Sequence, residues 1–254
     1  MQTAQTTVDP TEVAKFEAMA AEWWDPKGKF KPLHMLNPCR LDYITGQIAG
    51  EFGRDLSQDR PFEGLRLLDI GCGDGGFLRN LSYIHRRVGL DIVHRKLETD
   101  IEFVLHDLTQ KMPFDKASFD AIFAGEILEH LFDTDHFLRE CHRVLKPGGT
   151  LILVEPGEKH LQELREIIYA EPSSEKTEIK SNNENDYTLI DTQTLEFKIE
   201  LTRNEQILNL LSMTPHLFRA NSEGKASIEN MDSLSLTTDI IFKSFEYKPV
   251  SSQP

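Results

Sequence analysis

The sequence predicts a doubly wound α/β domain with a mainly parallel sheet, and three observations carry that prediction. From Leu65 onward a unit of short apolar run, glycine turn and helical stretch recurs. The runs are apolar on both faces, as strands covered by helices on each side must be. The first run is followed at once by LLDIGCGDGG, with Gly71, Gly73 and Gly76 at positions that open a strand-to-helix turn.

Ahead of this region, Asp9-Pro10-Thr11-Glu12 supplies an N-cap, a proline at the first helical position and a returning capping acid. Val13, Phe16, Met19, Ala20 and Trp23 follow at helical spacing, and Asp25-Pro26-Lys27-Gly28 breaks the helix after Trp24. A second helix is predicted from about Asn37 to Phe52. The strands are predicted at 65–70, 87–91, 102–105, 119–124 and 150–154. Between the last two, Phe137, Leu138, Cys141, Val144 and Leu145 mark one helix face, and Lys146-Pro147-Gly148-Gly149 stops that helix. Residues 160–169 read as helix, 171–186 as a polar surface excursion, and 187–201 as an alternating strand. A helix over 204–213 and a strand over 236–247 follow, so that two late strands complete the sheet edge. The tail PVSSQP is predicted to be disordered.

This organisation divides the chain into an N-terminal helical cap (1–60), a ligand-binding core (61–155), a C-terminal part that completes the sheet and covers the site (156–248), and the tail (249–254). The net charge of −14 over 254 residues opposes broad binding to a phosphate backbone. Cys39, Cys72 and Cys141 are dispersed and form no C-x-x-C pair, which fits a reducing cytoplasm better than a disulfide framework or a cysteine zinc site. No export signal or spanning apolar run is expected.

The glycine spacing G-x-G-x-x-G suits a dinucleotide, but the acids around it do not. A pyrophosphate at this loop would lie beside Asp69 and Asp74, where negative charge is adverse. An acidic surround suits a cationic adenosine compound without phosphate, and S-adenosylmethionine, with an ammonium and a sulfonium, has that character. Asp91 lies about 20 residues past the loop, where an acceptor for the ribose hydroxyls is expected. Asp107, after the third strand, is placed to accept from the adenine amino group while Leu108 covers the ring. The predicted cofactor residues from this reasoning are Asp69, Gly71, Gly73, Asp91, Asp107 and Leu108.

LLDIGCGDG, FDAIFAGEILEHL and HRVLKPGGTLIL resemble the signature segments of the class I S-adenosylmethionine-dependent methyltransferases, over about residues 62–155. The resemblance implies the Rossmann-like sheet of that class with a C-terminal antiparallel edge. Residues 8–44 resemble the N-terminal segment of the ubiquinone-biosynthesis O-methyltransferases, which methylate phenolic hydroxyls. By that resemblance Arg40 of the N-P-x-R element contacts the cofactor, as do Gly71, Asp91 and the residue after the fourth strand. That residue is Gly125 here, in place of the larger one expected. The implied acceptor is a small aromatic molecule, and a lipidic quinone precursor leaves room for peripheral contact with a membrane.

In Glu126-Ile127-Leu128-Glu129-His130, positions i, i+3 and i+4 of a helix share a face, so Glu126, Glu129 and His130 are the candidate ligands of a divalent metal such as Mg²⁺. The ubiquinone family implies metal binding at this element. The bland alternative is a set of acids favouring a helix N-terminus with His130 as a cap. His130 is also the first candidate for catalytic base, with His34 in reserve.

EPGEKHLQELREIIY, LLSMTPHLFRA and TTDIIFKSFEYK resemble the C-terminal part of the large-subunit ribosomal RNA guanine-N(1) methyltransferases. By that resemblance His160 lies at the cofactor, and Met213-Thr214-Pro215-His216 flanks the active-site mouth. The front and back of the chain therefore imply different acceptors. Ribosomal RNA ranks below a small phenol because the charge is acidic and the RNA family's cysteine-rich zinc module has no counterpart here. A cofactor-binding protein without a matched acceptor and a nicotinamide dehydrogenase are the remaining alternatives.

Overall fold

The structure is a computed structural model that describes residues 31–248 apart from 74, 82, 83, 95, 96, 98, 99, 132, 170–186, 213, 215 and 217–219. The side chains of 31–36 and 129 are also outside the description. The helix expected over 9–24 and its break, Asp74, the polar excursion, Met213, Pro215 and the tail lie outside the described residues, as do the side chains of His34 and Glu129.

Helix α1 (Lys31–Glu51) begins earlier than the spacing predicts and runs through Pro38. It ends in a glycine C-cap: Gly53 has φ 58°, and Arg54 N–H reaches back to the Ala49 carbonyl at 2.7 Å. Then come β1 (Arg66–Ile70), α2 (Gly76–Arg79), β2 (Arg86–Asp91), β3 (Glu102–Leu105) and β4 (Phe119–Gly125). A 3₁₀ turn (Leu128–His130) leads to α3 (Thr134–Val144), capped by the Asp133 carboxylate accepting from His136 N–H at 2.7 Å. The buried side of α3 consists of Phe137, Leu138, Glu140, Cys141 and Val144, the predicted face with one acid added.

β5 (Leu145–Pro156) is longer than expected, because Lys146-Pro147-Gly148-Gly149 bulges within the strand and does not precede it. The register accordingly jumps from Phe119 opposite Leu145 to Ala121 opposite Thr150. α4 (Gln162–Ile168), β6 (Tyr187–Leu201), α5 (Asn204–Ser212), α6 (Ser222–Glu229) and β7 (Leu234–Tyr247) complete the order. α6 was not predicted; Asn221 caps it by accepting from Gly224 N–H at 2.6 Å.

The seven strands form one sheet in the order β3-β2-β1-β4-β5-β7-β6. β1 to β5 are parallel, and β7 and β6 add the antiparallel edge. The strand order reverses between β1 and β4, so the C-terminal ends of β1, β2 and β4 surround the switch point where doubly wound sheets take their ligands. One face is packed by α1 through Tyr43, Ile44 and Ile48 over Leu67, Ile152 and Phe242. The other is packed by α3 through Phe137, Cys141 and Val144 over Leu68, Ile70 and Ile122.

The β6–β7 pair extends past the end of β5, where Pro156 lies opposite Ile240. On this extension Leu164, Ile168, Ile207, Leu211 and Ile228 of the three late helices form a separate small core with Ile199, Leu201 and Leu236. A layer of helices thereby stands beside the ligand end of the sheet. The expected division at 155/156 falls within β5, and residues on both sides of it share the sheet. Among the described residues no helix is long and apolar enough to cross a membrane.

Candidate functional site

The glycine loop turns back onto β2. Gly71, Gly73 and Gly75 all have positive φ, at 70°, 51° and 74°, a region costly for side chains. Gly71 and Cys72 donate their N–H groups to the Leu90 carbonyl at 2.8 and 3.2 Å, and Gly73 N–H donates to Asp91 Oδ2 at 2.9 Å. These three amides are engaged with protein acceptors. The following α2 spans four residues, too short to gather the dipole that a pyrophosphate-binding helix presents. The dehydrogenase alternative therefore loses the features it would need.

Three predicted acids occupy the strand ends. Asp69 is the penultimate residue of β1, only 2% exposed, and lies opposite Gly89 of β2 and Phe123 of β4. Asp91 closes β2; its Oδ1 accepts from Val93 N–H at 2.9 Å, so the carboxylate also shapes the chain beyond the strand. His106 N–H donates to the Asp91 carbonyl at 2.9 Å, which brings the segment after β3 alongside. There Asp107 accepts from Thr109 N–H at 2.9 Å, and Leu108 packs half-buried against the core on the α3 side.

Gly71 has a further constraint. A Cβ there would stand 2.1 Å from Ile127 Cδ1, so the Ile127 side chain closes over the turn. A Cβ at Gly125, where a larger residue was expected, would meet the tip of the Phe123 ring at 2.7 Å, so a side chain there requires that ring to shift.

Arg40 of α1 and Glu126, the residue after β4, form an ion pair through Arg40 Nη2. Glu126 has φ 55°, unusual for a side-chain-bearing residue, and its N–H donates to the Val154 carbonyl at 2.9 Å. Arg40 keeps a buried Nε without a partner among the described residues. A guanidinium with a donor in hand fits the carboxylate of an amino-acid ligand.

His160 enters the same neighbourhood from the loop after β5. Its Nδ1 accepts from Asp239 N–H at 3.3 Å, which leaves the proton on Nε2. Burial holds its pKa below the ordinary histidine value, while the Glu126 and Asp239 carboxylates pull the other way.

Of the proposed metal set, the side chains of Glu126 and His130 are described and that of Glu129 is not. The helix that would align Glu126, Glu129 and His130 is absent: Glu126 precedes the 3₁₀ turn in left-handed backbone, and its carboxylate is paired with Arg40. Among the described residues no cluster of three histidine, cysteine or acidic ligands occurs. His130 ends the turn half-buried, its N–H donating to the Ile127 carbonyl at 3.0 Å.

Sequence reasoning missed Ile127, Gly157 and Asp239. The last had a signal, an acid directly ahead of the apolar residues of TTDIIF. It also missed the bond between Tyr169 Oη and His216 Nδ1, 2.7 Å, which joins the end of α4 to the segment after α5.

Comparison with known proteins adds the following. Residues 68–153 match the family described as a methyltransferase domain. The chain is 50% identical over 163 residues to a ubiquinone biosynthesis O-methyltransferase of Ruegeria pomeroyi, covering 60% of this chain and 65% of that protein. It is 49% identical over 160 residues to the protein of the same name from Roseobacter denitrificans, covering 59% and 64%. The match thus spans a little less than two thirds of these relatives. Among solved structures, a protein assigned as a methyltransferase from Bacillus halodurans superposes with TM-score 0.51 at 16% identity, over 80% of this chain and 99% of that one. A chain of the Haloferax volcanii complex between the Trm112 methyltransferase activator and a protein assigned as a methyltransferase gives 0.53 at 18%, over 92% and 97%. These two show the fold.

Proposed function

We propose that this chain, which carries a methyltransferase domain over residues 68–153, is a class I methyltransferase that transfers a methyl group from S-adenosylmethionine to the phenolic oxygen of a small aromatic acceptor of the ubiquinone-precursor type. The observation that carries the cofactor is the glycine loop bonded to Asp91, with Asp69 at the end of β1 and Asp107 just after β3, which suits a cationic, phosphate-free adenosine compound. The names of the relatives favour the acceptor.

When bound, S-adenosylmethionine supplies a methyl group on a sulfonium, already a good leaving group. The protein's task is alignment and a deprotonated acceptor; well-oriented encounter lowers a barrier by roughly 7–11 kcal/mol. In this reading Asp91 accepts the ribose hydroxyls, Asp107 the adenine amino group beneath Leu108, and Asp69 faces the ammonium. Gly71, Gly73 and Gly125 admit close approach of the backbone. Arg40 takes the carboxylate and His160 lines the pocket. His130 accepts the phenol proton. No step here uses a metal. Residues 61–155 hold the cofactor and 156–248 cover the acceptor, in a cytoplasmic setting that the three free cysteines suit.

The test is incubation with labelled methyl donor and two acceptor pools, polyprenyl phenols and unmodified ribosomal RNA. Label in the phenol pool is expected. Label confined to a guanine nitrogen would transfer the acceptor assignment to RNA, and label in neither pool would overturn the enzymatic reading.

A further inference from the structure

We infer that Asp239 is a positioning residue that, seated on Gly157, fixes the ring orientation and tautomer of His160. The proposal deepens the preceding reading, resting on it only for the cofactor that His160 serves.

Asp239 lies in β7, 6% exposed, and its N–H, carbonyl and Oδ2 engage the loop after β5, while its Oδ1 is buried without a hydrogen-bond partner among the described residues. Its carbonyl accepts from Gly157 N–H at 2.8 Å, its Oδ2 from Lys159 N–H at 3.0 Å, and its own N–H donates to His160 Nδ1 at 3.3 Å. Two residues earlier, the Thr237 carbonyl accepts from Leu161 N–H at 2.8 Å, and Leu161 is held at φ 51°. The segment 157–161 is therefore tied to β7 along its length, in a conformation its own sequence does not favour. Gly157 is required by the packing: a Cβ there would lie 2.3 Å from Asp239 Oδ2 and 2.4 Å from Oδ1.

The chemistry of the arrangement is directional. An imidazole whose Nδ1 accepts from a backbone N–H is confined to one tautomer, with Nε2–H as its free donor. Burial disfavours protonation, against the pull of the Glu126 and Asp239 carboxylates, and the Nδ1 contact gives the neutral ring a fixed aim. Loss of the Lys159 bond, or intrusion of a methyl group between Gly157 and the carboxylate, releases the loop and with it the Nδ1 contact.

The experiment records long-range ¹H–¹⁵N correlations of the histidine rings and the affinity for S-adenosylmethionine in the full chain and in three variants. The unsubstituted protein is expected to show His160 as the single Nε2–H tautomer, assigned with His160→Gln. Asp239→Ala and Gly157→Ala are expected to give mixed tautomers and affinity about tenfold weaker. Asp239→Asn, which keeps an acceptor for Lys159 N–H, should remain within about threefold and retain the signature. Should Asp239→Ala fail to fold by circular dichroism, Gly157→Ala and Asp239→Asn still decide. A His160 signature unchanged in a folded Asp239→Ala or Gly157→Ala chain would overturn the proposal. If no form binds S-adenosylmethionine, the cofactor assignment fails while the ring signatures judge this inference separately.

Discussion

Arg40 and Glu126 stand 86 positions apart in the sequence and form an ion pair that ties α1 to the end of β4. Both were singled out from the sequence for different roles, one as a cofactor contact and the other as a metal ligand. Their pairing means that the N-terminal helix docks on the ligand end of the sheet through a charge as well as through Tyr43, Ile44 and Ile48.

A double-mutant cycle on Arg40→Ala and Glu126→Ala should therefore show a coupling free energy of about 1 kcal/mol in chemical denaturation. Additive effects would mean that the pair contributes nothing to docking. Arg40→Ala alone should also weaken S-adenosylmethionine binding by about tenfold, the scale of one charge-assisted hydrogen bond.

Gly71 and Gly148 separate two costs of a positive φ. Both are left-handed, at 70° and 74°, but a Cβ at Gly148 meets nothing within 4 Å whereas one at Gly71 strikes Ile127. Gly148→Ala should cost about 1 kcal/mol of stability from backbone conformation alone. Gly71→Ala should cost more and reduce cofactor affinity as Ile127 is displaced. Equal losses of stability with unchanged affinity would remove Ile127 from the account.

Glu163 gives the fold an acid-sensitive clasp between α4 and β7. Desolvation pushes its pKa up, but bonds from the Thr237 hydroxyl and N–H, the backbone and Lys198 outweigh it and hold the carboxyl at about 2, below the ordinary 4.5. Because the folded value is the lower one, the contribution is complete above about pH 4.5 and is lost as the pH falls through about 2. With solvent screening it amounts to about 1 kcal/mol. The denaturation midpoint should therefore fall more steeply over this window in the unsubstituted protein than in Glu163→Gln, and parallel curves would contradict the assignment.

Much of the fold was legible because its signals are local. Glu102–Leu105 and Tyr187–Leu201 are strands with the predicted bounds, and the α3 face was readable from its spacing. α6 was not, since of Ser222–Glu229 the apolar side chain buried is that of Ile228, too little to set a period. Lys146 to Gly149 read as a terminator because proline and glycine mark both helix ends and bulges, and only pairing with β4 distinguishes them. At the site, the acids at strand ends followed from topology, whereas the convergence of Glu126 with its neighbours assumed a helix. A single left-handed residue after β4 cancels that assumption, and the sequence carries no mark of it. Asp239 was invisible as a partner of His160 because the two are 79 positions apart and meet only across β5 and β7.

The most direct measurement is calorimetric titration of the purified chain with S-adenosylmethionine and, separately, with NAD⁺, repeated on Asp91→Asn. Binding of S-adenosylmethionine, no heat with NAD⁺, and affinity about tenfold weaker in the variant are predicted, because one carboxylate acceptor for the ribose is lost. Binding of NAD⁺, or an Asp91→Asn chain that takes S-adenosylmethionine as tightly as the original, would contradict a site built from acids at the strand ends.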